Sequence, residues 1–345
     1  MIKFSEYVSL GHPDKTADYI SQYLLDRYIE QDPSARYAVE VQIKDHVVTL
    51  GGEVSSKCIF TEAEIAKHVH DAVTEIGYDG VYASEWGHKN TICGDLLKVE
   101  SLISQQSPDI AQGLSGWGDQ GIFFGMAEYR PETNYMPLDH TIAKRLCKQL
   151  FESGIGGLDI KTQVVMDDDK ICKVIVAIPL LKEADTITVE RFVRYHLPSG
   201  DFEVIVNGTG RYVQHSSIAD CGTTGRKLVV DFYGGNCRIG GGSPWTKDAS
   251  KADLTLNLYA RNMALRFAKR LRTDVFVSLA CCIGQKEVNV VIRDGKGNVI
   301  LENQQVIDPA QLRKDFKLDT PIYASMCRWG LFGEYQSEKE WEITE

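Results

Sequence analysis

The stretch Tyr37-Ala38-Val39-Glu40-Val41-Gln42-Ile43, followed after three intervening residues by Val47-Val48-Thr49-Leu50-Gly51-Gly52-Glu53, alternates apolar with smaller or polar residues and ends in two glycines before an acid. Alternation of period two marks a strand with one buried face, and two such runs close together predict a hairpin. In front of it, Ala17, Ile20, Leu24 and Tyr28 recur at helical spacing until Gln31-Asp32-Pro33 stops the helix. Behind it, Ile65, Val69, Val73 and Ile76 mark a second helix over about 61–76. The order helix, hairpin, helix returns twice. A helix near 138–152 precedes strands near 162–167 and 171–178, which meet across Asp168-Asp169, and then a helix near 186–196. A helix over about 252–272 carries Leu256, Ala260, Met263, Phe267 and Leu271; strands at 274–283 and 287–293 follow, and Asp308-Pro309 caps and opens a short helix. The recurrence is one of pattern and predicts an α+β chain of three similar domains, 1–108, 109–214 and 215–345, each a mainly antiparallel sheet covered by helices on one face. The other face is then free to pack against a partner sheet.

With 345 residues, 43% of them hydrophobic, the chain is long enough for two or three cores. It has no run of eighteen apolar residues, and Met1-Ile2-Lys3-Phe4-Ser5-Glu6 lacks the order of a signal peptide, so the expectation is a cytoplasmic protein with no membrane partner. Nine cysteines without a Cys-x-x-Cys spacing read as reduced thiols, and adjacent Cys281 and Cys282 point to opposite faces of a strand. A net charge of -10 argues against a nucleic-acid partner, so an anionic ligand must be met by a local cationic pocket. Glu64 and His68 share a helix face while His70 diverges, too few groups for a zinc site.

Several short polar segments carry chemistry that a fold alone does not need. Gly11-His12-Pro13-Asp14-Lys15 opens the first helix with an imidazole, a carboxylate and an ammonium. Gly116-Trp117-Gly118-Asp119-Gln120-Gly121, Asp159-Ile160-Lys161-Thr162-Gln163, Asp220-Cys221-Gly222-Thr223-Thr224-Gly225-Arg226-Lys227 and Gly240-Gly241-Gly242 leading to Lys247-Asp248-Ala249-Ser250-Lys251-Ala252-Asp253 repeat that mixture. The chain has no complete P-loop: Gly240-Gly241-Gly242-Ser243-Pro244-Trp245-Thr246-Lys247 lacks the glycine before lysine, and Pro244 removes an amide donor. Gly208-Thr209-Gly210-Arg211-Tyr212 is likewise an incomplete dinucleotide fingerprint. Phosphate recognition falls to scattered side chains: His12, Lys15, Lys161, Arg226, Lys227, Lys247 and Lys251. Asp14 and Asp253 have the chemistry for magnesium shared with phosphate, and Glu40 that for a larger cation; composition leaves these uses open.

Five of these segments, in this order, resemble the S-adenosylmethionine synthetase family. The resemblance runs from about residue 5 to Pro321-Ile322-Tyr323 and is fainter over Gly330-Leu331-Phe332-Gly333. It implies three pseudo-symmetric α+β domains and a homodimer, or a dimer of dimers, with active sites between subunits. It implies the substrates ATP and methionine: sulfur attacks the ribose C5′ carbon, tripolyphosphate leaves, and the enzyme hydrolyses it to pyrophosphate and phosphate. By motif position His12, Lys161, Arg226 and Lys247 are the implied catalytic residues. The implied ATP contacts are His12, Asp119, Asp159, Ile160, Lys161, Arg211, Tyr212, Asp220, Arg226, Lys227, Ser243 and Lys247. Glu53, Gln106, Asp220 and Lys251 are implied for methionine, Asp14 and Asp253 for Mg2+, and Glu40 for K+. Sulfur has no proton to lose, so no side-chain base is expected for the transfer.

The chain departs from that pattern at named places. Leu10 stands where the family has a glutamate, Trp117 replaces a small residue, Ser216-Ser217-Ile218-Ala219 replaces a glycine-rich turn, and Ser243-Pro244-Trp245-Thr246 brings a proline and an indole beside the triphosphate lysines. The segment Ser107 to Ser115 is shorter than the family's lid. These changes define two rival expectations: a non-catalytic ATP-binding paralogue or partner subunit, and an enzyme of the same fold with a different thioether substrate.

Overall fold

The structure, a computed structural model, describes residues 1–105, 116–333 and 339–344. In chain order its strands are β1 (Ile2–Val8), β2 (Arg36–Lys44), β3 (Val47–Ser55), β4 (Lys98–Gln105), β5 (Gly121–Ala127), β6 (Lys161–Asp167), β7 (Lys170–Ala177), β8 (Glu203–Val206), β9 (Gly222–Thr223), β10 (Val275–Cys281), β11 (Glu287–Asp294) and β12 (Val299–Val306). The α-helices are α1 (Pro13–Gln31), α2 (Glu62–Ile76), α3 (Gly80–Trp86), α4 (Leu138–Ser153), α5 (Thr186–His196), α6 (Ser216–Ala219), α7 (Leu228–Asp231), α8 (Ala252–Leu271), α9 (Pro309–Asp315) and α10 (Tyr323–Arg328).

Each expected hairpin forms the middle of a four-stranded sheet. Tyr37 and Val39 of β2 are buried opposite Val54 and Gly52 of β3, β6 pairs with β7, and β10 pairs with β11. The outer strands make the three sheets alike. On the side of each hairpin's first strand sits an antiparallel neighbour: β9 on β2, β1 on β6, β5 on β10. On the other side, β4 and β8 are parallel to β3 and β7, whereas β12 is antiparallel to β11.

Those antiparallel neighbours come from other thirds of the chain. β9 reaches the first sheet from beyond residue 214, β1 leaves the N-terminus for the second, and β5 joins the third from the middle. The sheets therefore draw strands across the expected boundaries at 108 and 214, and hydrogen-bonded edges bind the thirds together.

Helices supply the cores. α1 lies on β2 with Ala17, Ile20, Leu24 and Tyr28 buried, α4 covers β1 and β6, and α8 covers β5 and β10. Gly125 in β5 permits the last contact, since a Cβ there would stand 2.3 Å from the Ala260 carbonyl. Leu271, expected on the buried stripe of α8, is exposed at its end. One core runs through the first and third sheets and another lies under the second. Exposed Phe4 on β1, Leu102 on β4 and Ile122 on β5 leave apolar side chains on outward faces. No helix among the described residues is long and apolar enough to cross a membrane.

Candidate active site

The first group of site residues is built around the start of α1. Gly11 lets the chain pass against the next motif, because a Cβ would lie 2.4 Å from the Leu158 carbonyl oxygen, and Tyr78 donates to the Gly11 carbonyl at 2.6 Å. His12 is the N-cap: its Nδ1 accepts from the Asp14 N–H at 3.1 Å, and Pro13 takes the first helical position. Burial, then the charges of Lys161, Lys227, Lys15 and Arg226, pushes the His12 pKa well below its ordinary value. The ring is neutral at pH 7, and with Nδ1 acting as acceptor its proton sits on Nε2.

Asp14 is buried in the first turn, where the helix dipole favours a carboxylate. Its Oδ1 accepts from the Thr223 N–H of β9 at 3.0 Å and faces Arg226 Nε at 3.6 Å; its Oδ2 accepts from Lys227 Nζ at 2.8 Å. Thus the crossing of β9 into the first sheet carries two cations to the helix that holds His12. Lys161 is exposed at the start of β6. Just before it, Asp159 is buried and accepts from the Ser216 N–H at 3.1 Å, while its Oδ1 has no hydrogen-bond partner among the described residues. Burial raises the Asp159 pKa to about 6 against the opposing charge of Lys161. Tyr212 donates to the Asp159 carbonyl at 3.2 Å, and Arg211 and Asp220 are exposed beside this cluster. Ile160 is different: its side chain is in the core, and both backbone groups bond Ser9, N–H to Oγ and carbonyl to N–H, each at 2.9 Å.

The second group surrounds the start of α8. Asp253 accepts from Lys247 Nζ through Oδ2 and from the Gly242 N–H through Oδ1, the latter at 2.8 Å. Asn257 donates to the Gly240 carbonyl at 3.1 Å, so the first two turns of α8 hold both ends of the triple-glycine segment. Lys251 is the N-cap of α8 and makes no side-chain cap. A bridge between Ala38 and Lys247 brings this loop to β2, and Ala38 pairs with Glu53 of β3. Asp119 is exposed; its carbonyl accepts from Cys281 Sγ at 3.4 Å, and burial, with Asp119 and Asp253 nearby, raises the Cys281 thiol to about 11.

Among the described residues, no hydrogen bond or ion pair joins the two groups directly. They adjoin where Ser243 lies against Gly225, and they meet through Glu40, whose carboxylate accepts from Thr224 Oγ1 and, at 3.0 Å, from Thr246 Oγ1. Neither threonine was singled out by sequence reasoning, because a hydroxyl that tops a strand carboxylate leaves no periodic signal. Gln106 and the short lid segment lie outside the described residues.

Two sequence expectations change. Lys15, counted with the phosphate cations, is buried on Asp18 and Asp231, at 3.2 and 2.8 Å. The indoles of Trp117 and Trp245 are fully buried and fill the core. For the metal, no group of three or more His, Cys, Asp or Glu side chains is assembled among the described residues. Asp14 and Asp253 each retain carboxylate lone pairs and each already sit beside a lysine, which suits Mg2+ held by one or two carboxylates, water and phosphate oxygens. Glu40 with two hydroxyl oxygens offers hard donors suited to K+.

Residues 1–108 match the N-terminal domain of S-adenosylmethionine synthetase and residues 215–343 match its C-terminal domain. An S-adenosylmethionine synthase from a Nocardioides species is 32% identical, covering 99% of this chain and 96% of that protein; one from a Parafrankia species is 33% identical, covering 99% and 95%. A solved structure, described as an unusual S-adenosylmethionine synthetase from Campylobacter jejuni, superposes with a TM-score of 0.89 at 31% identity over 99% of this chain and 96% of that one. Full-length similarity, three matching sheets and the clustered motifs together establish that the chain belongs to the S-adenosylmethionine synthetase family.

Proposed function

We propose that the chain is a methionine adenosyltransferase in which the neutral His12, ringed by Lys161, Arg226 and Lys227, assists departure of tripolyphosphate from C5′ of ATP. The observation that carries this reading is the His12 cap. Asp14 N–H on Nδ1 directs the remaining ring proton to Nε2, a donor for the oxygen that bridges C5′ and the α-phosphorus. A thioether is an uncharged nucleophile, so the barrier falls by in-line positioning and by neutralising charge that grows on the leaving group. A neutral donor bonds more strongly as that oxygen becomes anionic, and cations held beside a buried carboxylate need little reorganisation.

Lys161, Arg226 and Lys227 grip one side of the triphosphate, with Lys247 and Ser243 at its other side. Asp159, Ile160, Arg211, Tyr212 and Asp119 serve the adenosine end, Ile160 through shape alone since its backbone is committed to Ser9. Glu53 pairs with the methionine ammonium, Lys251 with its carboxylate, and Asp220 and Gln106 complete that pocket. Asp14 and Asp253 hold Mg2+, which neutralises phosphate charge when bound, and Glu40 holds K+. The separation of the site residues into two groups on one chain, together with exposed Phe4, Leu102 and Ile122, supports a homodimer, or a dimer of dimers, whose sites form between subunits. Nine free cysteines fit a cytoplasmic setting.

The test is to incubate the protein with ATP, methionine, Mg2+ and K+ and to follow S-adenosylmethionine by mass spectrometry, then to repeat it with His12→Ala. Product from the native chain that falls about 100-fold or more in the variant supports the reaction and the site. A folded, ATP-binding protein that makes no sulfonium product refutes it.

A further inference from the structure

The pairings of Lys15 join three segments that the proposed chemistry needs in register. Its Nζ lies 2.8 Å from both oxygens of Asp231 and 3.2 Å from Asp18 Oδ2. The other oxygen of Asp18 accepts from the Gly225 N–H at 2.9 Å, immediately before Arg226 and Lys227. Asp231, four residues after Lys227, also accepts from the Trp245 indole N–H at 2.7 Å, two residues before Lys247. The Lys15 ammonium stands over the Trp245 ring, 4.5 Å from its centroid. None of these four side chains belongs to a residue more than 2% exposed. Both carboxylates oppose the burial of Lys15 and keep its ammonium charged, so the cluster is a fixed ionic hub.

We propose that Trp245 is a positioning residue: through its indole N–H on Asp231 and its ring beneath Lys15, it holds the Lys247 loop in register with the helix that carries His12 and Asp14. The loop needs such a tether. It follows Gly240-Gly241-Gly242, of which Gly241 has φ +76°, and its other ties run to β2, through Val39 N–H to the Thr246 carbonyl at 3.0 Å, Asp248 N–H to the Tyr37 carbonyl at 3.1 Å and Thr246 Oγ1 to Glu40, and to Asp253 of α8; none of these reaches α1. Indole meets the requirement because one ring supplies both a face for the ammonium and a donor for the carboxylate. Phenylalanine would keep the face and lose the donor. The inference rests on the reading of Lys247 as a triphosphate contact.

The experiment is a double-mutant cycle in the full-length protein, read as the affinity for inorganic tripolyphosphate by calorimetry, with kcat and KM for S-adenosylmethionine formation measured alongside. Trp245→Phe is expected to weaken tripolyphosphate about 10-fold and to lower kcat by a similar factor, with KM for methionine unchanged within about twofold. In a Lys247→Ala background the same substitution should add less than about a twofold loss. Unchanged affinity with a lowered melting temperature, or the full 10-fold loss without Lys247, overturns the proposal. Where the Phe variant does not fold, Trp245→Tyr, which keeps a donor, takes its place; failure of both to fold assigns Trp245 to the core alone and also overturns it. A native chain that makes S-adenosylmethionine while Trp245→Phe is neutral sinks only this inference; one that binds tripolyphosphate without making product sinks only the reaction.

Discussion

α1 and α8 are long helices of 19 and 20 residues, and each opens with an aspartate in its first turn beside a loop lysine. Their ends are otherwise unlike. Asp14 is 1% exposed, capped over by the His12 imidazole and held by β9 and Lys227, whereas Asp253 is 17% exposed and holds only its own glycine turn and Lys247. The α1 end is thus a closed cluster whose charges are already paired and in which little must move, and the α8 end is an open one whose carboxylate orders a loop.

Removing the two carboxylates should separate these roles most clearly. Asp14→Ala strips a buried partner from Lys227 and Arg226 and is expected to cost about 3 kcal/mol in urea unfolding, with activity lost. Asp253→Ala should cost about 1 kcal/mol and lower activity without abolishing the fold. Equal stability losses would erase the distinction between closed and open ends.

A subtler variant sharpens it through pH. The His12 ring is held below the pKa of an unfolded histidine, about 6.5, so above that pH the neutral ring contributes its full stability, and that contribution fades as pH falls and the unfolded chain takes up a proton. His12→Asn keeps a side-chain acceptor for the Asp14 N–H but removes the titration. Relative to the native chain it should gain about 1.4 kcal/mol per pH unit below about pH 6 and show no such gain at pH 8, while activity falls at both. Asp18 and Asp159, whose pKa values burial raises, the latter to about 6, are present in both proteins and cancel from the difference. A difference independent of pH would show that the ring is not held neutral.

The smallest effect concerns the missing cap at α8. Lys251→Ser supplies the hydroxyl acceptor that the helix lacks and should raise stability by about 0.5–1 kcal/mol while raising KM for methionine. A stabilised variant with unchanged KM would remove Lys251 from the substrate site.

The legibility of the chain follows from locality. The hairpin of β2 and β3 was readable because Tyr37, Val39, Val41 and Ile43 all face one core and their partners lie a few residues away. β1 was not, because it exposes Ile2 and Phe4 and buries Ser5, so its pattern contradicts the usual polarity of a strand, and its partner β6 lies far along the chain. The site shows the same division. Motif spacing pointed to His12, Asp14, Arg226, Lys227, Lys247 and Asp253, and the structure pairs them as neighbours. It gave no means of separating Lys15 from Lys227, two lysines beside aspartates, one sunk in an ionic hub and the other partly exposed on Asp14.

By itself the amino-acid sequence determined the three helix-hairpin-helix units, the chemistry of the motif residues and the kinship they carry, since periodicity and local capping need only neighbouring residues. The tertiary structure alone decided which strands cross between sheets, that β9 delivers Arg226 and Lys227 to His12, and that Trp245 braces Lys15 from within the core. Those outcomes depend on contacts between residues far apart in the chain, where burial decides whether a charge is solvated, paired or poised for a ligand.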